Sequence, residues 1–192
     1  MRESRNAETE IALIERAQKG DRDAYGDLVR CYYTCVVSIV QHMCGDTHLA
    51  EDAAQEAFLR AWIKLPSFHP DSSLRNWLCR IAINAALDVL RRRTGNTSSK
   101  MEMQCLPDPS PNPEAALIEK EQVASLQLVM KSLPEASRSV LVLREYSGLS
   151  YEEIGAVLEI PIGTVMSRLN YARNRLRGLL AEQKVQQEQE YA

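Results

Sequence analysis

The stretch IPIGTVMSRLNYARNRLR, residues 160–177, holds four arginines and no acid, in a chain of 192 residues with a formal charge of −3. Val165, Leu169 and Leu176 recur at helical spacing and form an inward stripe, while Ser167, Arg168, Asn170, Tyr171, Asn174 and Arg175 face the other way. Just upstream, Ser150 and Glu153 have the spacing of a capping box, opening a short helix that turns Ile154, Val157 and Leu158 inward. That helix ends before Pro161, whose missing N–H costs nothing in the first turn of the next one. Two short helices about four residues apart, the second exposing basic and amide side chains, form a helix-turn-helix. Its second helix is built to enter a DNA major groove, where arginine displaces counterions from phosphate and Arg or Asn can pair with a base edge. The competing reading is the solvated basic face of an ordinary bundle. A net acidic chain does not argue against DNA, because the field that matters is local.

Working outward, four prolines punctuate TGNTSSKMEMQCLPDPSPNP, residues 94–113. Successive x-Pro steps favour extended backbone, so this reads as a linker. It separates a block at 8–93 from a block at 114–182. Both blocks carry apolar residues at spacings of three and four and neither shows the alternation of strands. Asp21 and Gly45-Asp46 mark helix boundaries in the first block; Pro134 and Gly148 do so in the second. The expected fold is all-α: two small helical domains joined by an extended linker, the C-terminal one carrying the helix-turn-helix. The tail after Leu180 is polar and expected to fray.

Composition narrows the function. Hydrophobic residues make up 45% of the chain and charged residues 26%, a soluble globular mixture. No apolar run is long enough to span a membrane. The N-terminus MRESRNAETE lacks the apolar core of a signal peptide, so the expected address is the cytoplasm. Five cysteines without a repeating spacing read as reduced thiols packed as small hydrophobes. One exception is conceivable: Cys31 and Cys35 share a helical face, with His42 and Cys44 following, which leaves a metal or redox role open. His42, His48 and His69 have no carboxylate or metal constellation around them, and no glycine-rich phosphate loop exists. The chain is therefore read as a non-enzyme without a cofactor or a metal.

Two further patches lie in the first block. In LAEDAAQEAFLRAW, residues 49–62, Asp52, Gln55, Glu56 and Leu59 recur at helical spacing, an acidic and apolar face suited to a basic helical partner or simply to solvent. Phe58, Leu59 and Trp62 together exceed what one buried stripe needs. In FHPDSSLRNWLCRIAINAALDVLRRR, residues 68–93, the cations Arg75, Arg80 and Arg91-Arg92-Arg93 are interleaved with Phe68, Trp77 and amides including Asn84. Arginine neutralises phosphate, an aromatic ring can stack on an unpaired base, and an amide can bond its exposed edge. Trp77 has core spacing with Leu74 and Ile81; Phe68, in a loop, is expected to be freer. Twenty linker residues reach at most about 70 Å, enough to bridge DNA sites two helical turns apart at ~34 Å per turn.

These motifs, in this order and over nearly the whole chain, resemble the extracytoplasmic-function (ECF) group of the sigma-70 family. The resemblance implies a subunit that directs RNA polymerase to promoters and promotes DNA opening, in a stress or envelope response. It assigns Asp52, Gln55, Glu56 and Leu59 to docking on the coiled coil of the largest catalytic subunit. It assigns Phe68, Arg80, Asn84, Arg91, Arg92 and Arg93 to the −10 element, with Phe68 and Asn84 at a flipped-out base. Ser167, Arg168, Asn170 and Tyr171 would read the −35 element, positioned by Thr164 and Arg173. Relatives often carry arginine where this chain has Met166 and Tyr171, so the −35 sequence is not transferable. The family's members are often masked by an anti-sigma protein, a partner the resemblance also implies here. A stand-alone regulator would explain 149–177, but not the pairing of the 49–62 face with the 68–93 block.

Overall fold

The structure, a computed structural model, describes residues 2–69, 72–95, 127 and 129–190, with side chains for 10–69, 72–93, 127 and 129–181. Seven α-helices have both ends among the described residues: α1 (Arg2–Gln18), α2 (Arg22–Cys44), α3 (Thr47–Lys64), α4 (Leu74–Gly95), α5 (Glu135–Glu145), α6 (Tyr151–Leu158) and α7 (Ile162–Glu190), with a 3-10 turn at Leu65–Ser67. No strand occurs among the described residues. The linker lies outside them, except that α4 runs on to Gly95.

The boundaries fall where the chemistry puts them. Asp21 accepts from the amides of Asp23 and Ala24, two donors that the start of α2 would otherwise leave unpaired. Gly45 ends α2 in the left-handed region (φ 61°), and its own N–H bonds Gln41 O. Asp46 then caps α3 through the amide of Leu49. The inward stripe of α3 is alanine throughout, at 50, 53, 54, 57 and 61, so α2 and α4 approach it closely. Ile39, Met43 and Ile83 fill the space between them and are nearly inaccessible. In the C-terminal half, Leu143, Leu149, Ile154, Val165 and Leu169 form an equally closed cluster, each at most 1% exposed. Cutting Leu169 to alanine there should cost about 2–5 kcal/mol.

The two halves do not stand apart. Arg138 of α5, 6% exposed, donates to Met43 O at the end of α2 (2.7 Å) and to Lys131 O and Leu133 O in its own half (3.0 Å each). Arg75 donates to Ser147 O, and Asn76 Nδ2 to Glu153 Oε1 at 3.1 Å. The rings of His42 and Tyr146 stack with centroids 3.5 Å apart.

Helical backbone runs past two of the expected ends. The helical backbone of α1 begins at Arg2, before the block expected from 8, and α7 continues to Glu190 where fraying was expected. The tail AEQKVQQEQE holds neither Gly nor Pro to stop a helix and is made almost wholly of good helix formers.

Candidate nucleic-acid and polymerase interfaces

In the helix-turn-helix, Ser150 Oγ accepts from the Glu153 amide (3.1 Å), and Glu153 Oε2 accepts from the Ser150 amide (2.8 Å). The Ser150 amide, and after it Asn76, hold the Glu153 carboxyl below the usual glutamate range. The turn is tight because Glu159 adopts a left-handed conformation (φ 55°) and Ile160 N bonds back to Gly155 O at 3.0 Å. A Cβ at Gly155 would sit 3.0 Å from Ile160 O, so the close passage favours glycine. The amides of Thr164 and Val165 then return to Pro161 O, starting α7.

On α7, Val165, Leu169 and Ala172 are buried, and Ser167, Asn170 and Tyr171 are exposed. Arg168 and Thr164 are half-buried. Met166 and Ile162 add exposed apolar surface to the same helix. Arg173, read as a positioning contact, is paired with Glu145 at 2.7 Å and so ties α7 to α5. That pair is exposed and exchangeable, of the kind worth about 0–1 kcal/mol.

On α3, Asp52, Gln55 and Leu59 face solvent, and Leu59 is 60% exposed. Glu56 is half-buried and engaged, at 2.9 Å from Arg60 and 3.6 Å from Arg92. Ile63, one turn beyond Leu59, is 66% exposed and belongs to the same outward stripe; its i+4 spacing from Leu59 was the signal that sequence reading passed over. Phe58 and Trp62 turn out not to be surplus apolar surface. Phe58 stacks on Tyr33 with centroids 6.1 Å apart, and Trp62 packs against Tyr25 at 4.8 Å. The Tyr25 hydroxyl donates to Phe58 O (2.6 Å), and burial pushes its pKa up to about 12.

On α4, Arg80, Asn84 and Arg91 to Arg93 are exposed. Most of these cations hold a nearby acid: Arg80 meets Glu159 at 2.6 Å, Arg91 meets Asp88 at 3.9 Å, and Arg93 meets Asp46 at 3.5 Å. Phe68 requires a correction. It is 4% exposed and packs against Trp77 with centroids 5.0 Å apart, rather than standing free in its loop. Gln18 Nε2 holds the loop down through Leu65 O and Phe68 O (3.0 and 2.8 Å), and the ring gains more by burial than by exposure. The cysteine reading also shifts. Cys31 is exposed, Cys44 is buried, and the neighbour of Cys35 is Cys79 on α4. No group of three or more metal-ligating side chains occurs among the described residues.

Members of both sets of candidate DNA contacts meet in one place. A cleft of about 340 Å³ between α4 and the C-terminal half is lined by Arg80, Asn84 and Arg91 on one side and by Glu135, Glu159 and Arg168 on the other.

Comparison with known proteins gives this arrangement its context. Residues 28–95 match the Sigma-70 region 2 model and residues 129–178 the Sigma-70 region 4 model. The ECF RNA polymerase sigma factor SigW of Bacillus subtilis is 35% identical, covering 88% of this chain and 95% of that protein. The chain belongs to the ECF group of RNA polymerase sigma factors. The sigma-E factor of Escherichia coli K12 is 38% identical and the sigma-H factor of Pseudomonas aeruginosa 36%, each match covering 88% of this chain and 92% of the relative. Among solved structures, CnrH in complex with the cytosolic domain of CnrY superposes with a TM-score of 0.69 at 28% identity, over 91% of this sigma factor and 98% of that chain. RpoE of Bartonella quintana, in complex with the anti-sigma factor NepR, shares the fold with a TM-score of 0.66 at 24% identity, over 82% and 96%. As a sigma factor, the chain works with RNA polymerase core at promoter DNA. No described helix is long and apolar enough to cross a membrane.

Proposed function

We propose that this sigma factor divides its work among three surfaces. Asp52, Gln55, Glu56 and Leu59 of α3, extended by Ile63, dock on the clamp coiled coil of polymerase core. Asn84, Arg80 and Arg91 to Arg93 of α4 take the non-template strand of the −10 element. Ser167, Arg168, Asn170 and Tyr171 of α7 read the −35 duplex, with Thr164 and Arg173 positioning them. The units are 8–93 and 114–182, joined by 94–113.

The observation that carries the docking assignment is Leu59 beside Ile63, both more than half exposed on a helix whose buried stripe is already complete in alanine. An apolar pair with acids beside it fits a basic helical partner. On α4, cations in weak exposed pairs can exchange carboxylate for phosphate at little cost. Opening DNA then needs no chemistry from this chain. Docking and duplex reading offset the few kcal/mol of unstacking and extruding a base. The protein is accordingly a non-enzyme, and its place is the cytoplasm with the polymerase.

Because Arg80, Asn84 and Arg168 line one cleft, DNA that takes Arg80 and Asn84 is crowded by the −35 helix at Arg168 while the halves stay packed. The halves part on the polymerase, and the 94–113 segment spans the gap. A protein that masks both halves would hold the closed form, and the two solved relatives in complex with CnrY and NepR make an anti-sigma partner the natural candidate.

Run-off transcription with purified core polymerase over a promoter library tests this function. Specific start sites that require this chain are expected. Initiation that is no different from core alone, or a promoter footprint made by the chain without polymerase, would overturn it in favour of a stand-alone regulator.

A further inference from the structure

Cys35 of α2 and Cys79 of α4 bring their sulfurs to 3.9 Å. A disulfide has an S–S length of about 2.05 Å, so small side-chain rotations of roughly 2 Å in total would join them. Cys79 is 1% exposed, whereas Cys35 keeps an open side toward solvent. Two further groups converge on the pair. The Arg75 guanidinium lies beside it while donating to Ser147 O across the seam. Ser147 itself is 1% exposed, and its Oγ is buried without a conventional hydrogen-bond partner. Both thiols, Cys35 and Cys79, lie close enough for that hydroxyl to act on them. An orphaned hydroxyl and a guanidinium beside one dithiol are what a thiolate needs.

We propose that Cys35 and Cys79 form a hydroperoxide-oxidisable dithiol, in which Cys35 attacks and Cys79 resolves. A hydrogen bond from Cys79, with Arg75 and Ser147 adding to it, pulls the Cys35 thiol toward its ionised form, while that same hydrogen bond and then burial push Cys79 the other way. Cys44 shows the contrast, with its thiol pushed up to about 11 by burial. Low-pKa, accessible thiols are the ones that oxidise first.

The chemistry balances. The Cys35 thiolate attacks one peroxide oxygen; the S–O bond forms, the O–O bond breaks, and the departing hydroxide leaves as water after taking a proton. Cys79 then attacks the sulfur of the Cys35 sulfenic acid. The S–S bond forms, the S–O bond breaks, and the hydroxyl leaves as a second water with the proton from Cys79. Two thiols lose two electrons, which reduce one hydrogen peroxide to two waters. A small dithiol reverses the change by exchange. The bridge would staple α2 to α4 directly beneath the point where Ser147 of the other half meets Arg75, a site that the promoter-reading roles do not use.

The test uses the full chain, reduced, freed of reductant and treated with hydrogen peroxide. Remaining thiols are blocked with iodoacetamide, and unreduced peptides are mapped by mass spectrometry. A Cys35–Cys79 linked peptide is expected, restored to two thiols by dithiothreitol, and forming at least about tenfold faster than Cys44 oxidises. Cys35→Ser should leave Cys79 reduced, and Cys79→Ser should trap Cys35 as a sulfenic acid that dimedone captures. Cys79→Ala serves if the serine variant does not fold. Oxidation that falls first on Cys31 or Cys44, links Cys35 only between molecules, or proceeds at Cys79 equally well in Cys35→Ser would overturn the proposal.

Discussion

Arg138→Met probes the seam between the halves most sharply. Arg138 makes three hydrogen bonds to backbone carbonyls, of which only the one to Met43 O crosses the seam. Met43 lies in the last turn of α2, where carbonyls lack intrahelical partners, so this side chain caps a helix of the other half. A buried hydrogen bond to a charged group contributes about 1.5–3 kcal/mol. Its loss should shift the closed-to-open equilibrium by roughly ten- to 150-fold, at 1.36 kcal/mol per tenfold. The other two bonds act within the C-terminal half. Orphaning their carbonyls, offset by no longer burying a guanidinium, should lower unfolding stability by about 2–4 kcal/mol. Energy transfer between dyes on the two halves reads the first effect, and denaturant titration reads the second. Arg138→Lys keeps the charge without the fork, so it should fall between. An unchanged closed population in Arg138→Met, with an unchanged denaturation midpoint, would refute the view that this residue latches the halves.

Four further expectations follow from the surfaces. Asp52→Lys with Glu56→Lys inverts the charge of the docking face and should abolish co-purification with core polymerase, while the helical circular dichroism stays intact. Asn84→Ala should depress promoter opening, read by permanganate reactivity, more than closed-complex affinity, read by gel shift; equal loss in both would remove Asn84 from base capture. Arg168→Ala should weaken −35 duplex binding by ~1–3 kcal/mol and relax specificity at one position if it pairs with a base, checked by competition against single-base variants. His42 is held neutral by burial, below its ordinary value of 6.5, with its ring nitrogen donating to Ser38 O. A depressed histidine pKa means that its contribution is complete above that ordinary value and declines as pH falls toward the folded one. The seam should therefore loosen on mild acidification, and His42→Phe should flatten that part of the pH profile of interdomain energy transfer.

The helix-turn-helix was legible in sequence because every signal is local. The Ser150–Glu153 capping box, Pro161 and the stripe Val165–Leu169–Leu176 lie within thirty residues, and backbone geometry alone relates them. The cap at Asp21 and the break at Gly45-Asp46 were legible for the same reason. What escaped was long-range. Arg138 meets Met43 across 95 positions, Asn76 meets Glu153 across 77, and Arg75 meets Ser147 across 72, so no periodicity links them. The approach of Cys79 to Cys35 likewise depends on how α4 lies on α2. Arg138 did leave one trace, an arginine at the head of the apolar run 140–143, where an unpaired charge would be costly. Phe68 was misjudged by its loop context: a chain segment outside a helix can still turn an aromatic ring inward when Gln18 satisfies its carbonyls.

The claim on which the rest depends is that two DNA-reading surfaces facing one cleft in the free chain separate on the polymerase. Spin labels placed at the exposed positions Arg22 and Arg177 would measure that separation directly, by pulsed dipolar spectroscopy on the free chain and on the promoter complex. The account predicts one well-defined distance for the free chain, set by the packed halves, and a change of tens of Å on the promoter, on the scale of ~34 Å per helical turn bridged. The same distance in both states, in a complex that still opens DNA, would contradict it.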